Sequence, residues 1–435
     1  MITAFEFIDK KRRGLEHTEE ELREFITGYV RGDIDESQAA AWLMAVCING
    51  MTFAETSALT MAMTASGETF SEKFDGFTVD KHSTGGIGDK VTLIAGPICA
   101  ACGIYVPKMS GRGLGYTGGT IDKLESIPGL SAVLDREKFV SVVRKAGIAV
   151  AGQTDALVPA DKKLYALRSI TATVESIPLI CSSIMSKKLA VTADGIVLDV
   201  KVGDGAFMKD IASAEKLAEA MLAVGKAAGR KCTALLTDMN KPLGHAVGNS
   251  VEVIEAIEAL KGNSPVDLWD DVLEVSAEML GTAGYGTPEE CKNAVREAVS
   301  SGKALERLRK MIELQGGDPR VCDDYSLFAQ PAQIREIYAA RDGYIGGISC
   351  EKTGMYSLVL GAGRKNKKDS VDPAAGIVFD VSVGDKVSKG DRLAVLRGSA
   401  GCDIDGIAKE FPGVFTYCDE TVMQTKNVMK IIRNC

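Results

Sequence analysis

Two segments of this chain concentrate the residue types that hold an anion. The first reads Val79-Asp80-Lys81-His82-Ser83-Thr84-Gly85-Gly86-Ile87-Gly88-Asp89-Lys90-Val91-Thr92, and the second Lys108-Met109-Ser110-Gly111-Arg112-Gly113-Leu114-Gly115-Tyr116-Thr117-Gly118-Gly119-Thr120. Glycines let main-chain N–H groups turn inward with no Cβ in the way, hydroxyls donate beside them, and lysines add charge. A helix predicted to start at Val91 aims its positive end at the same point. The chemistry implied is the capture of a phosphate-like oxyanion.

His82 sits inside the first segment, between Lys81 and Ser83. A free imidazole titrates near ~6.5, so it suits a proton donor or a hydrogen-bond donor. Ser183 and Lys187 are four apart and share one face of a predicted helix. Other chemistries fit less well. No GxxxxGK[ST] run occurs, and the letters of a dinucleotide fingerprint at Gly113 to Gly118 lie inside a longer polar loop, which argues against NAD. Cys99 and Cys102 have redox spacing but belong to an apolar helix, where thiols serve as small core residues. His17 and His245 have no metal-ligand spacing, so catalytic zinc is not expected.

Positioning these groups requires a folded body, and 435 residues with 46% hydrophobic content suffice for two or three domains. A formal net charge of -8 argues against nucleic acid or an anionic membrane as partner. No stretch reaches the roughly 18 apolar residues of a membrane span, and Met1 to Arg13 lacks a signal peptide's apolar core. Eleven cysteines, an odd number, fit a reducing compartment. The expected location is the cytoplasm.

The first 65 residues read as helices. Thr18 with Glu21 forms a capping box ahead of Leu22, Phe25, Ile26, Tyr29 and Val30; Ala39 to Ile48 continues the pattern, and Thr52 with Glu55 caps a third helix. From Thr78 short strands alternate with helices: helix Val91 to Cys102, strand Ile104 to Val106, helix Arg136 to Ala146, strand Ile148 to Ala151, strand Gly195 to Val202, helix Ser213 to Ala228 and strand Lys231 to Thr237. Such alternation predicts an α/β domain with a mostly parallel sheet. Lys162 to Leu189 interrupts the rhythm and reads as helical, returning toward the first helices. From Gly343 the pattern becomes strands and turns, like the hammerhead of lipoyl and biotinyl carriers, though Lys430 lies in a final apolar run and not at a hairpin tip. The expected domains are helical (1–66 and 161–190), α/β (67–160 and 191–335) and C-terminal α+β with a hammerhead-like β portion (343–435).

Several long motifs carry a family likeness. Lys81 to Asp89, Ser110 to Gly115, Thr117 to Gly129, Tyr165-Ala166-Leu167-Arg168, Ser183 to Lys188 and Lys201 to Met208 resemble the thymidine and pyrimidine-nucleoside phosphorylases, and the likeness covers almost the whole chain. It implies phosphorolysis: phosphate attacks C1′ of a pyrimidine nucleoside, releasing the base and a ribose or deoxyribose 1-phosphate. By the same resemblance Lys81, Ser83, Thr92, Lys108, Ser110 and Thr120 hold phosphate. Arg168, Ser183 and Lys187 hold the base, Tyr165, Leu114, Ile184 and Phe207 wall it, and His82, Arg168 and Lys187 act in catalysis. The chemistry suits these residues, because bond breaking builds positive character at C1′ and negative charge on the base.

Departures from the family narrow the expectation. Tyr116 stands where many relatives have His, and Ser169 where Asp commonly follows the base-binding Arg. A potassium site of the pyrimidine-nucleoside branch maps onto Gly88, Leu243, Ala246 and Glu255, with Lys90 where that branch carries Thr, so the ammonium is the alternative occupant. Lys108 points to the broader pyrimidine enzyme, since thymidine-confined relatives often carry an apolar residue there. The resemblance implies inorganic phosphate as co-substrate, no organic cofactor, and a homodimer through the N-terminal helices. A strict thymidine phosphorylase, an anthranilate-type phosphoribosyltransferase and a non-catalytic nucleoside-binding protein are the alternatives.

Overall fold

Capping fixes the start of the chain. Helices α1 (Ala4–Arg12), α2 (Glu19–Arg31), α3 (Glu36–Asn49) and α4 (Phe53–Thr64) each open on a capping box, at Thr3/Glu6, Thr18/Glu21, Asp35/Gln38 and Thr52/Glu55. Their apolar faces close around Trp42, with Phe7 stacked on Phe25 at 4.2 Å. His17 belongs to this core, stacked on Phe7 at 3.7 Å and accepting from Trp42 Nε1 at 3.3 Å. The computed structural model describes residues 2–70, 72–113, 118–154, 156–191, 193–364, 369–422 and 426–433.

The α/β part follows with β1 (Val79–Ser83), α5 (Val91–Ala101), β2 (Val106–Ser110), α6 (Thr120–Leu124), α7 (Arg136–Ala146), β3 (Ile148–Gly152), α8 (Pro159–Arg168), α9 (Ile177–Leu189), β4 (Gly195–Val202), α10 (Ile211–Ala227) and β5 (Lys231–Asp238). β1, β4 and β5 run parallel, and β4 is buried along its whole length, which explains its continuous apolar run. β2 pairs in parallel with β3, and the bridge Thr78–Tyr105 leads the chain from the main sheet into it. The expected strand Ile104 to Val106 is thus the lead-in to β2, since Tyr105 bonds to Phe77 and Val79. The paired strand continues to Ser110, where Lys108 and Ser110 break the apolar signal.

α8 and α9 pack back on the first helices: Lys163 Nζ donates to Tyr29 O and Val30 O, and Ser182 Oγ to Thr56 O. Beyond β5 come β6 (Ala246–Gly248), α11 (Ser250–Leu260), α12 (Val266–Thr282), α13 (Pro288–Ser300) and α14 (Lys303–Leu314). The C-terminal α+β part holds β7 (Gln333–Tyr338), β8 (Gly343–Ile348), α15 (Cys350–Ser357), β9 (Gly376–Phe379), β10 (Lys386–Val387), β11 (Arg392–Gly398), α16 (Ile404–Glu410), β12 (Phe415–Cys418) and β13 (Val428–Arg433). Two strands stitch it to the α/β part: β6 pairs with β9, and β13 returns to lie antiparallel beside β5. Lys430 therefore sits in a paired strand, bonded to Glu215 at 2.7 Å. Among the described residues no helix is long and apolar enough to cross a membrane.

Candidate active site

The residues expected from sequence to hold an anion lie on two strands and at two helix starts. Lys81 and Ser83 are on β1, Lys108 and Ser110 on β2, Thr92 is the second residue of α5, and Thr120 opens α6. Carboxyl ends of parallel strands facing helix starts are where α/β sheets bind ligands. Ser83 Oγ accepts from Gly85 N at 3.1 Å, which turns the glycine loop. Asp122 accepts from Gly113 N at 2.7 Å and pairs with Arg112 and, at 2.8 Å, with Arg364 of the C-terminal part. Leu114, expected as a wall of the base pocket, lies outside the described residues together with Tyr116.

Carboxylates hold the lysines, with Asp80 and Asp199 fully buried. Lys81 Nζ lies 2.8 Å from Asp199 Oδ2 and 3.7 Å from Asp89 Oδ1. Lys108 Nζ donates to Lys81 O at 2.6 Å and stands 3.6 Å from Asp80. Burial, set against Asp80 and reinforced by Lys188 and Lys81, pulls the Lys108 ammonium down to about 7. Burial opposes the charge of Asp89, but Lys81, Lys201 and Lys123 outweigh it and hold that carboxyl far below the usual range.

The base-side residues share α8 and α9. Lys187 Nζ bonds Asp161 Oδ2 at 2.5 Å and Ser183 Oγ at 3.0 Å, so the expected i, i+4 pair is in contact. Ile184 is buried beside them, while Tyr165 and Phe207 stay 39% and 47% exposed. Arg168, expected to fork toward a base, here bonds main-chain carbonyls. Its Nε, Nη1 and Nη2 donate to Thr173 O, Leu179 O and Val174 O at 3.1, 3.0 and 2.6 Å, so it ties the 169–176 loop to α9. Two of these carbonyls belong to the chain leaving α8 and the third to the first turn of α9, and a buried guanidinium satisfies all three.

A bond next to the site links the two halves: Lys188 Nζ donates to Asp80 Oδ2 at 2.7 Å, joining the residue after Lys187 to the one before Lys81. His82 sits in the combined field. Burial first, then Lys188, Lys108, Lys187 and Lys81, push its imidazole well below the ordinary value. Lowered in this way, the imidazole favours its neutral form, which suits the hydrogen-bond donor of the two roles expected for it.

The residues expected around potassium gather on another cation. Lys90 Nζ donates to Leu243 O and Ala246 O, both at 2.9 Å, and to the Glu255 carboxylate, while Gly88 lies against Leu243 O. These oxygens are filled by the ammonium and do not fit an ion in addition. Signals for the missed residues existed. Asp161 is four before Tyr165 and seven before Arg168 on one helix face, and Asp199 and Lys201 are charges inside an apolar strand.

A helical bundle ahead of an α/β sheet is the domain order of a glycosyltransferase family, and the family models match it. The helical bundle domain of the glycosyl transferase family matches residues 5–67 and its a/b domain residues 75–305. The pyrimidine nucleoside phosphorylase C-terminal domain matches residues 344–413. The pyrimidine-nucleoside phosphorylase of Geobacillus stearothermophilus is 48% identical over 393 residues, 90% of this chain and 91% of that one. That of Staphylococcus aureus (strain MSSA476) is 47% identical over 422 residues, 97% of each chain. The chain belongs to the pyrimidine-nucleoside phosphorylase family of glycosyltransferases. Among solved structures, anthranilate phosphoribosyltransferase from Thermus thermophilus has the same fold, with a TM-score of 0.58 at 19% identity over 71% of this chain and 99% of that one.

Proposed function

We propose that this enzyme catalyses the reversible phosphorolysis of pyrimidine nucleosides, with uridine, thymidine and deoxyuridine as substrates and inorganic phosphate as co-substrate. The observation that supports it best is the likeness, at 47–48% identity over most of the chain, to pyrimidine-nucleoside phosphorylases, with the residues expected to hold phosphate set on β1, β2, α5 and α6. Phosphate lies among Lys81, Ser83, Thr92, Lys108, Ser110 and Thr120 and attacks C1′ as the bond to the base lengthens. Negative charge growing on the pyrimidine is met by Lys187 and Ser183, and the His82 N–H bonds the 2-carbonyl. Donors placed on such developing charge are worth about 2.7–4 kcal/mol each. Arg168 acts by fixing the loop beside Tyr165, whose ring lies 5.9 Å from its guanidinium carbon. Lys108 favours the broader substrate range over thymidine alone.

The helical part (1–66 and 161–190) is read as the base side, the α/β part (67–160 and 191–335) as the phosphate side, and 343–435 as the C-terminal domain. Bends near Ser66-Gly67, Ala151-Gly152 and 190–195 would close one side on the other and expel water. The helical part also offers a dimer face, since Phe5, Met44, Ile48, Phe53 and Met61 are exposed on α1, α3 and α4. Light scattering giving a monomer mass at micromolar concentration would remove that dimer. Cysteines Cys47 through Cys418 stand unpaired, in keeping with the reducing cytoplasm.

One assay decides the reaction. Uridine, thymidine and deoxyuridine are each incubated with and without phosphate, and free base is quantified. Base released only with phosphate supports phosphorolysis; base released only with magnesium and pyrophosphate, or binding without turnover, overturns it.

A further inference from the structure

Lys90 is the residue immediately before α5, and its side chain is wholly buried, 0% exposed. Its ammonium has three N–H groups and faces three acceptors: two main-chain carbonyls of one turn, Leu243 O and Ala246 O, and the Glu255 carboxylate. Glu255 is itself oriented, accepting from His245 N at 2.8 Å and Ala246 N at 3.1 Å. A plain ion pair needs only the carboxylate. Converging carbonyls plus one carboxylate are the oxygen set that replaces the hydration shell of a hard cation.

The walls of this cage admit no side chain. Gly88 has φ +75°, and a Cβ there would stand 2.6 Å from Leu243 O. Gly244 has φ +70°, and a Cβ there would stand 2.7 Å from Glu255 Oε2 and 3.2 Å from Lys90 Nζ. Left-handed glycines at both places let backbone approach a central charge closely.

We propose that the Lys90 ammonium is a tethered substitute for a monovalent cation, built into the chain at an oxygen cage that would otherwise take one. The cage fixes two sides of the anion cradle at once. It ties the loop carrying Asp89, and the start of α5 with Thr92, to the 243–246 turn and to α11. An ion supplied from solution would make that arrangement depend on its concentration, whereas a lysine on the chain makes it permanent. This role holds whichever reaction the site performs, because it concerns how the loop is held.

The test reads stability and ion occupancy, so it does not rely on turnover. Wild type, Lys90→Thr and Lys90→Met are unfolded thermally in potassium, rubidium, sodium and choline chloride at one ionic strength, and crystals are soaked in rubidium for anomalous scattering. Wild type is expected to give one Tm in all four salts and no rubidium peak at the cage. Lys90→Thr opens the cage, so its Tm in choline falls, then rises by about 2–4 °C in potassium or rubidium, with a rubidium peak beside Leu243, Ala246 and Glu255. Lys90→Met fills the volume without charge and stays low in every salt. A wild-type Tm that rises in potassium over choline, or a rubidium peak beside an intact Lys90, overturns the proposal. So does a folded Lys90→Thr protein indifferent to potassium. Should Lys90→Thr fail to fold, the wild-type salt series and soak still decide.

Discussion

Lys187 Nζ lies 2.5 Å from Asp161 Oδ2, while the other oxygen of that carboxylate, Oδ1, is buried with no hydrogen-bond partner among the described residues. A buried acceptor without a partner costs about 1–3 kcal/mol, and such groups persist where a ligand or a function compensates. Asp161 therefore does two things at once. It holds Lys187, the lysine proposed to meet the leaving base, and it keeps a second carboxylate oxygen without a hydrogen-bond partner among the described residues.

The first prediction concerns that pair. Asp161→Ala and Lys187→Ala are each expected to lower kcat/KM about 100-fold, and the double variant to be hardly worse than either, because the two act as one unit. A double-mutant cycle on kcat/KM measures it, and losses that simply multiply would show that the two residues act separately.

His82 leads to a second expectation. Its imidazole is held well below the usual range by burial and by Lys188, Lys108, Lys187 and Lys81, so in the free enzyme it does not gain its proton near pH ~6.5. The pH profile of kcat/KM should lack a histidine limb there. His82→Asn, which keeps a neutral donor, should lose about 10-fold in turnover, and His82→Ala about 100-fold, with phosphate affinity changed less. A limb near ~6.5 that disappears in His82→Asn would restore the role of protonated acid.

A third concerns Lys108, whose ammonium burial brings down to about 7. At a pH of about 8 the free enzyme carries this lysine mostly neutral, and a bound phosphate, being anionic, draws the proton back. Phosphate binding should then take up about half to one proton per site. Calorimetry in buffers of different ionisation enthalpy reads this directly, and Lys108→Met should abolish the uptake. A binding enthalpy that is the same in every buffer would exclude it.

Much of this site is legible in the sequence for one physical reason. A cradle for an oxyanion needs glycines, hydroxyls and lysines close together, so Lys81 to Thr92 and Lys108 to Thr120 stand out as runs. Capping boxes such as Thr18/Glu21 are equally local and set the helix starts. What the sequence hides are groups whose meaning lies in long-range pairing. Asp161 and Lys187 are brought together by helix packing, Asp80 and Lys188 by a strand meeting a helix. The bonds of Arg168 are hidden too, because the carbonyls of Thr173, Val174 and Leu179 converge only where the chain leaves α8 and enters α9. β13 reads as part of the last domain because nothing in Val428 to Arg433 names β5 as its neighbour.

The last prediction follows a buried row of alternating charge. Lys81 meets Asp199 at 2.8 Å, Asp199 meets Lys201 at 3.0 Å, Lys201 meets Asp271 at 2.9 Å, and Asn427, just ahead of β13, donates to Asp271 at 2.7 Å. Lys201→Met fills the space but leaves Asp199 and Asp271 buried as like charges, at an expected cost of about 3–5 kcal/mol near pH ~7.5. Burial, with Asp199 acting against Lys201, already raises the Asp271 carboxyl to about 6. A carboxyl raised on folding takes its proton in the folded state first, so its stabilising contribution is present below the unfolded value and is lost as pH rises through about 6. Removing Lys201 raises it further, so the deficit of Lys201→Met should shrink by about 1 kcal/mol or more when urea unfolding is repeated near pH ~5. Because Asp199 also holds Lys81, the variant should raise KM for phosphate at the higher pH while leaving KM for the nucleoside nearly unchanged. An equal stability deficit at the two pH values would mean that lost packing, and not stranded charge, is what Lys201 supplies.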